Sequence, residues 1–82
     1  MFGQVVLSKA GKDSGSFYAV LREEDDFAYI ADGRLRKVEK PKRKRKKHLA
    51  PTKTVLAPED CETDSRLRAA LSKFNKTDEG GN

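Results

Sequence analysis

The chain has 82 residues, 38% of them charged and 35% hydrophobic, with a net charge of +5, which allows one small domain with a thin core and marginal stability. Its one cysteine, Cys61, excludes an intrachain disulfide framework and fits a reducing compartment. No apolar run approaches the ~20 residues of a membrane span, and the early "VVL" is too short for a signal peptide, so a cytoplasmic location is expected.

Residues 3–10, "GQVVLSKA", read as a first strand. "AGKDSG" follows, with Gly11 and Gly15 four residues apart. Glycine supplies positive φ, and Asp13 and Ser14 can bond their own backbone, so a tight loop is expected. "SFYAVLRE", 16–23, is the second strand, rich in aromatic and β-branched residues. The acidic "EEDD" makes a solvated turn that can also steer anions away from that side. "FAYIA", 27–31, is the third strand. Asp32-Gly33 then predicts a two-residue hairpin turn, with "RLRKVEK", 34–40, as the fourth strand and Pro41 as its stop, since proline has no N–H to donate to a ladder. The basic residues 42–47 read as a loop held at both ends. "KHLAPT", 47–52, reads as a short extended piece with a turn at Pro51, a fifth strand or a 3₁₀ turn closing the sheet.

Four or five short strands with tight turns predict a small barrel over residues 2–52, an arrangement that removes exposed strand edges. Residues 17–21 are all apolar, as in a strand covered on both faces, so something must cover the outer face. Residues 53–63 read as a linker. Residues 64–75 read as an amphipathic helix with Leu67, Ala70, Leu71 and Phe74 on one stripe, capped by Thr63 or Asp64. A helix this short is marginal alone, so it must dock on the barrel, on another copy or on a partner. Residues 76–82 are expected to be a disordered tail.

The charge is uneven. Residues 34–53 hold eleven Lys or Arg against one acid, Glu39. Such a field favours a polyanion on one face. Lys42, Arg43, Lys44, Arg45, Lys46 and Lys47 repel one another and gain most beside backbone phosphates. Arg34, Arg36 and Lys37 sit just before them, with Arg34 and Arg36 on one face of the predicted fourth strand. Gly11, Gly15 and Lys12 offer a loop whose backbone can approach a phosphate closely. Lys9, Lys40 and His48 complete the expected contact set. Phe17, Tyr18, Phe27 and Tyr29 are expected mostly in the core, with Tyr18 or Tyr29 the better suited to stack on a base. His48 has no metal-ligating or acid–base partners at suitable spacing. The carboxylates around Cys61 oppose thiolate formation.

The stretch from Gly3 to Gly33 resembles the KOW motif, a strand, glycine loop and strand found in several ribosomal proteins and transcription elongation factors. Gly3, Val6, Ala10-Gly11-Lys12, Gly15 and the apolar run around Val20 carry the match. The continuation "ADGRLRKVEKPKRKRKKHLAPT" resembles the small bacterial KOW-domain RNA-binding proteins, related to the fourteen-e family of archaeal and eukaryotic large-subunit ribosomal proteins. His48, Leu49, Pro51 and Thr52 match that family's His-Leu-x-Pro-Thr ending. Ala50 departs from it, an acid being frequent there. The resemblance covers residues 2–52 and implies a mainly β fold, a five-stranded SH3-like barrel, to which the short C-terminal helix is added. It implies RNA binding, usually of ribosomal RNA, and no catalysis.

The expected partners are therefore RNA, ribosomal RNA first, and ribosomal proteins. No cofactor, metal, membrane or small-molecule substrate is expected, and the free chain is expected to be monomeric. A protein-interaction module is the alternative. In it the basic run meets an acidic protein patch, and Leu67, Leu71 and Phe74 form a docking face. Duplex DNA is a third target, without a helix suited to the major groove.

Overall fold

Short β-branched and aromatic runs, cut by Gly and Asp, fold into a single antiparallel sheet. The computed structural model describes residues 1–11 and 14–75. The strands are β1 (Gln4–Ser8), β2 (Phe17–Glu24), β3 (Phe27–Ala31), β4 (Lys42–Arg45) and β5 (Leu49–Val55). One-turn 3₁₀ helices span Lys46–His48 and Pro58–Cys61, and helix α1 spans Asp64–Leu71. The strand order is β4-β3-β2-β1-β5, with every neighbouring pair antiparallel. β4 and β5 form the two edges and, among the described residues, do not pair with each other. The sheet is open, and strand pairing does not close it into a barrel.

Residues on both faces of β2 are buried at Tyr18, Ala19 and Val20, as its unbroken apolar run requires. Tyr18 and Val20 point to one side, where they pack with Val6, Ala28, Ile30 and Leu49. Ala19 points to the other, where it joins Val5, Ala31, Cys61, Leu67 and Leu71. The cover on this second face is α1. Leu67 and Leu71 are 0% and 1% exposed, so the apolar stripe serves the protein's own core. Thr63 caps the helix, its hydroxyl accepting the Arg66 N–H at 3.1 Å. Among the described residues no helix is long and apolar enough to cross a membrane.

The helix ends at Leu71, short of the predicted Asn75, and the turn after it has its own task. The Phe74 ring meets Phe17 at a centroid distance of 5.4 Å. The Asn75 carboxamide accepts the Phe17 N–H at 2.7 Å and donates to the Phe17 carbonyl at 2.9 Å. The side chain thus extends the ladder at a point where β3 no longer reaches. Asn75→Ala strands both backbone groups and is expected to cost about 1–3 kcal/mol, measurable by urea unfolding.

Two expectations about the middle of the chain are corrected. Asp32-Gly33 is not a hairpin turn, and residues 34–40 are not a strand. The Asp32 carboxylate accepts the N–H groups of both Arg34 and Arg36 at 2.9 Å, while the Arg36 carbonyl accepts from Asp32 and Gly33, each at 3.0 Å. An aspartate that bonds its own backbone offers the chain an alternative to a ladder. Here the result is a long loop from residue 32 to 41. The tight turn of this sheet is Asp25-Asp26, between the paired residues Glu24 and Phe27, with Asp25 in the left-handed region at φ 52°.

The second correction concerns the basic run. Residues 42–45 are strand β4, not a loop, and Pro41 precedes this strand instead of ending one. β4 pairs along β3, with Lys42 opposite Ile30, Arg43 opposite Tyr29, Lys44 opposite Ala28 and Arg45 opposite Phe27. Alternation sends successive cations to opposite faces, which relieves the repulsion among them. Charge on an edge strand also discourages edge-to-edge association.

Candidate nucleic-acid interface

α1 covers only part of the second face. The rest carries the outward residues of β3 and β4 together with the end of β2. A register shift between Val20 and Arg22 turns Arg22 to stand opposite Tyr29, as bulges re-aim side chains. The Arg22 guanidinium lies over the Tyr29 ring, 4.2 Å from its centroid. Arg43 and Arg45 both lie over Phe27, at 4.5 and 5.0 Å. Each contact is cation–π, worth about 0.5–1 kcal/mol at an exposed site. Among the described residues no carboxylate forms an ion pair with Arg22, Arg43 or Arg45. The nearby Glu24 accepts the Tyr29 hydroxyl at 2.8 Å.

The other basic residues are divided among different settings. Lys42 and Lys44 point to the opposite face and are half-buried. The Lys44 ammonium donates to the Ala10 carbonyl at 2.8 Å, tying β4 to the glycine loop. A Cβ at Gly11 would lie 3.4 Å from that ammonium. Gly11 and Gly15 both have positive φ, 79° and 92°, as the loop reading required, and among the described residues nothing lies within 4 Å of a Cβ at Gly15. Lys12 lies outside the described residues. Lys9 is exposed, and its N–H donates to the His48 carbonyl at 2.8 Å. Lys47 is exposed and His48 half-buried. Lys46 pairs with Glu23 at 2.9 Å, and the Met1 α-amino group pairs with the same carboxylate, so Lys46 is partly neutralised.

Arg34, Lys37 and Lys40 are exposed on the loop of residues 32–41, and Arg36 is half-buried. With no strand there, Arg34 and Arg36 do not share a strand face. Helix α1 fixes this loop instead. Asp64 Oδ1 accepts the Val38 N–H at 2.8 Å, and Arg68 Nη1 donates to the Gly33 carbonyl at 3.4 Å.

The expected docking face on the helix is corrected: Leu67 and Leu71 are buried, and half-buried Phe74 packs on Phe17. Tyr18, one of the tyrosines expected to suit stacking, is 0% exposed, whereas Phe27 and Tyr29 are half-buried beneath arginines. Arg22 was not among the expected contacts. The available signal was a lone arginine following the apolar run of β2, but only the bulge turns it onto this face. Burial, and then the Asp60 charge, push the Cys61 thiol above its ordinary value, which keeps it protonated and unreactive.

Compared with known proteins, the chain matches no family model and no curated protein.

Proposed function

We propose that the protein binds structured RNA, with ribosomal RNA as its target, and that it does so chiefly through backbone phosphates. The observation that carries this reading is the trio Arg22, Arg43 and Arg45. Three guanidiniums are held side by side on aromatic rings with no carboxylate partner among the described residues. Stacking fixes each planar fork while leaving its donors exposed, the form in which arginine best receives phosphate. Arg34, Lys37 and Lys40 stand exposed on the neighbouring loop and widen the cationic surface.

On this reading the chain is a KOW-type protein, and its sheet is the wall of an SH3-like barrel. A meander whose fifth strand returns to the first, with one 3₁₀ turn between the two edge strands, supports that assignment. Of the residues that carry the KOW resemblance, Val6 lies on β1 and Val20 on β2, and Gly11 and Gly15 lie in the loop between them. The protein-interaction alternative loses support, because the apolar stripe it needed lies under the sheet.

Titration of the full chain with a ribosomal RNA fragment at several salt concentrations tests the proposal. With about six phosphates engaged, affinity is expected to fall about 10³-fold between 50 and 200 mM salt. A flat profile, or no binding at the lower concentration, would reject it.

A further inference from the structure

We propose that the groove beside Tyr29 receives an unpaired nucleobase of RNA. This inference rests on the RNA-binding reading and specifies what is recognised beyond phosphate. The groove is lined by Leu21, Arg22, Tyr29, Val38 and Pro41. Three of these are apolar, one is an aromatic ring and one is the guanidinium stacked on that ring.

A nucleobase has flat apolar faces and polar edges. It is taken from the stack by aromatic rings and by guanidinium planes. Arg22 covers Tyr29 at 4.2 Å and is itself exposed, so the outer plane of its guanidinium continues the stack toward solvent. Leu21, Val38 and Pro41 supply an apolar wall for a face of the base, and its polar edges stay in water, since an apolar wall offers them no hydrogen bond.

The groove is also held in shape before anything binds. Leu21 and Val38 pack against the core cluster under α1. The Val38 N–H is bonded to Asp64 on the helix, and the Tyr29 hydroxyl is bonded to Glu24. A rigid site spends less of its binding energy on ordering. Arg43 and Arg45 lie one strand away on Phe27, next to the groove. A nucleotide brings a flat base and an anionic phosphate together, and this surface offers a stacking groove beside cations that no carboxylate pairs with among the described residues. A duplex hides its base faces and so leaves the groove unused.

The probes are a short RNA single strand carrying 2-aminopurine and the same strand annealed to its complement. The full chain is titrated with each at 200 mM salt, where the phosphate contribution is weakened and stacking persists. The single strand is expected to bind at least about tenfold tighter, despite its lower charge density, with 2-aminopurine fluorescence quenched on binding. Tyr29→Leu is expected to lose about tenfold more on the single strand than on the duplex, where it only loosens the seating of the Arg22 guanidinium, while Tyr29→Phe keeps the preference. Equal affinities for both probes without quenching would overturn the groove assignment and leave RNA binding standing. Failure of both probes, and of ribosomal RNA at 50 mM salt, would overturn both.

Discussion

Gly33→Ala is expected to destabilise the protein by more than about 3 kcal/mol, a fall in Tm of about 12–24 °C for a chain of this size. Two effects combine. Gly33 has φ +80°, a conformation that costs a non-glycine residue about 1–3 kcal/mol. A Cβ there would also collide with the Asp64 carbonyl oxygen and lie 3.0 Å from the Arg68 nitrogen. Those atoms are helix backbone, which cannot swing aside as a side chain can. Gly15 is the control, because its φ is +92° but a Cβ there meets nothing within 4 Å among the described residues. Gly15→Ala is expected to cost only the conformational part, about 1–3 kcal/mol. The difference between the two melts isolates the contact of α1 with the loop of residues 32–41. Equal losses would mean that the helix is not seated there.

That same glycine marks the limit of what was legible in the sequence. β1, β2 and β3 were readable because each is a β-branched or aromatic run bounded by Gly, Ser or Asp. The glycine loop and the Thr63 cap were readable because each is a local device. Asp32-Gly33 is an equally strong local signal for a hairpin, yet it was overruled. The glycine answers to a helix far along the chain, and the aspartate bonds its own loop. β4 was hidden for the opposite reason. A run of cations has no apolar alternation, and only pairing with β3 makes it a strand, an instance of tertiary context setting β structure. Pro51 suggested a turn, but β5 is an edge strand, where a missing N–H costs little. Pro51 pairs with Val6, and the strand continues to Val55. At the candidate site, composition pointed to the segment that holds Arg43 and Arg45 but not to the face on which they lie. Which of the cations share a surface, and that Arg22 joins them, follows from register and a bulge.

Register therefore makes a sharper forecast for RNA affinity than charge count does. The double variants Arg43→Ala/Arg45→Ala and Lys42→Ala/Lys44→Ala each remove two positive charges from the same four-residue strand. A flexible basic tail would treat them alike. On β4 they differ, because Arg43 and Arg45 stack on Phe27 on the outer face, while Lys42 and Lys44 are half-buried on the other and Lys44 is bonded to Ala10. Charge-assisted hydrogen bonds are worth about 1.5–3 kcal/mol each. The arginine pair is therefore expected to lose about 10²-fold or more in affinity for a ribosomal RNA fragment, with the salt slope reduced by about 2. The loss should fall evenly across RNA sequences, as it does when phosphate contacts are removed. The lysine pair is expected to lose less than about tenfold in affinity and to show its main effect in thermal stability, through the lost tie to the glycine loop. If the two variants lost affinity equally and kept the same slope, the strand's faces would be irrelevant to binding. The cations would then be acting as an unstructured tail, against the orientation that pairing with β3 imposes.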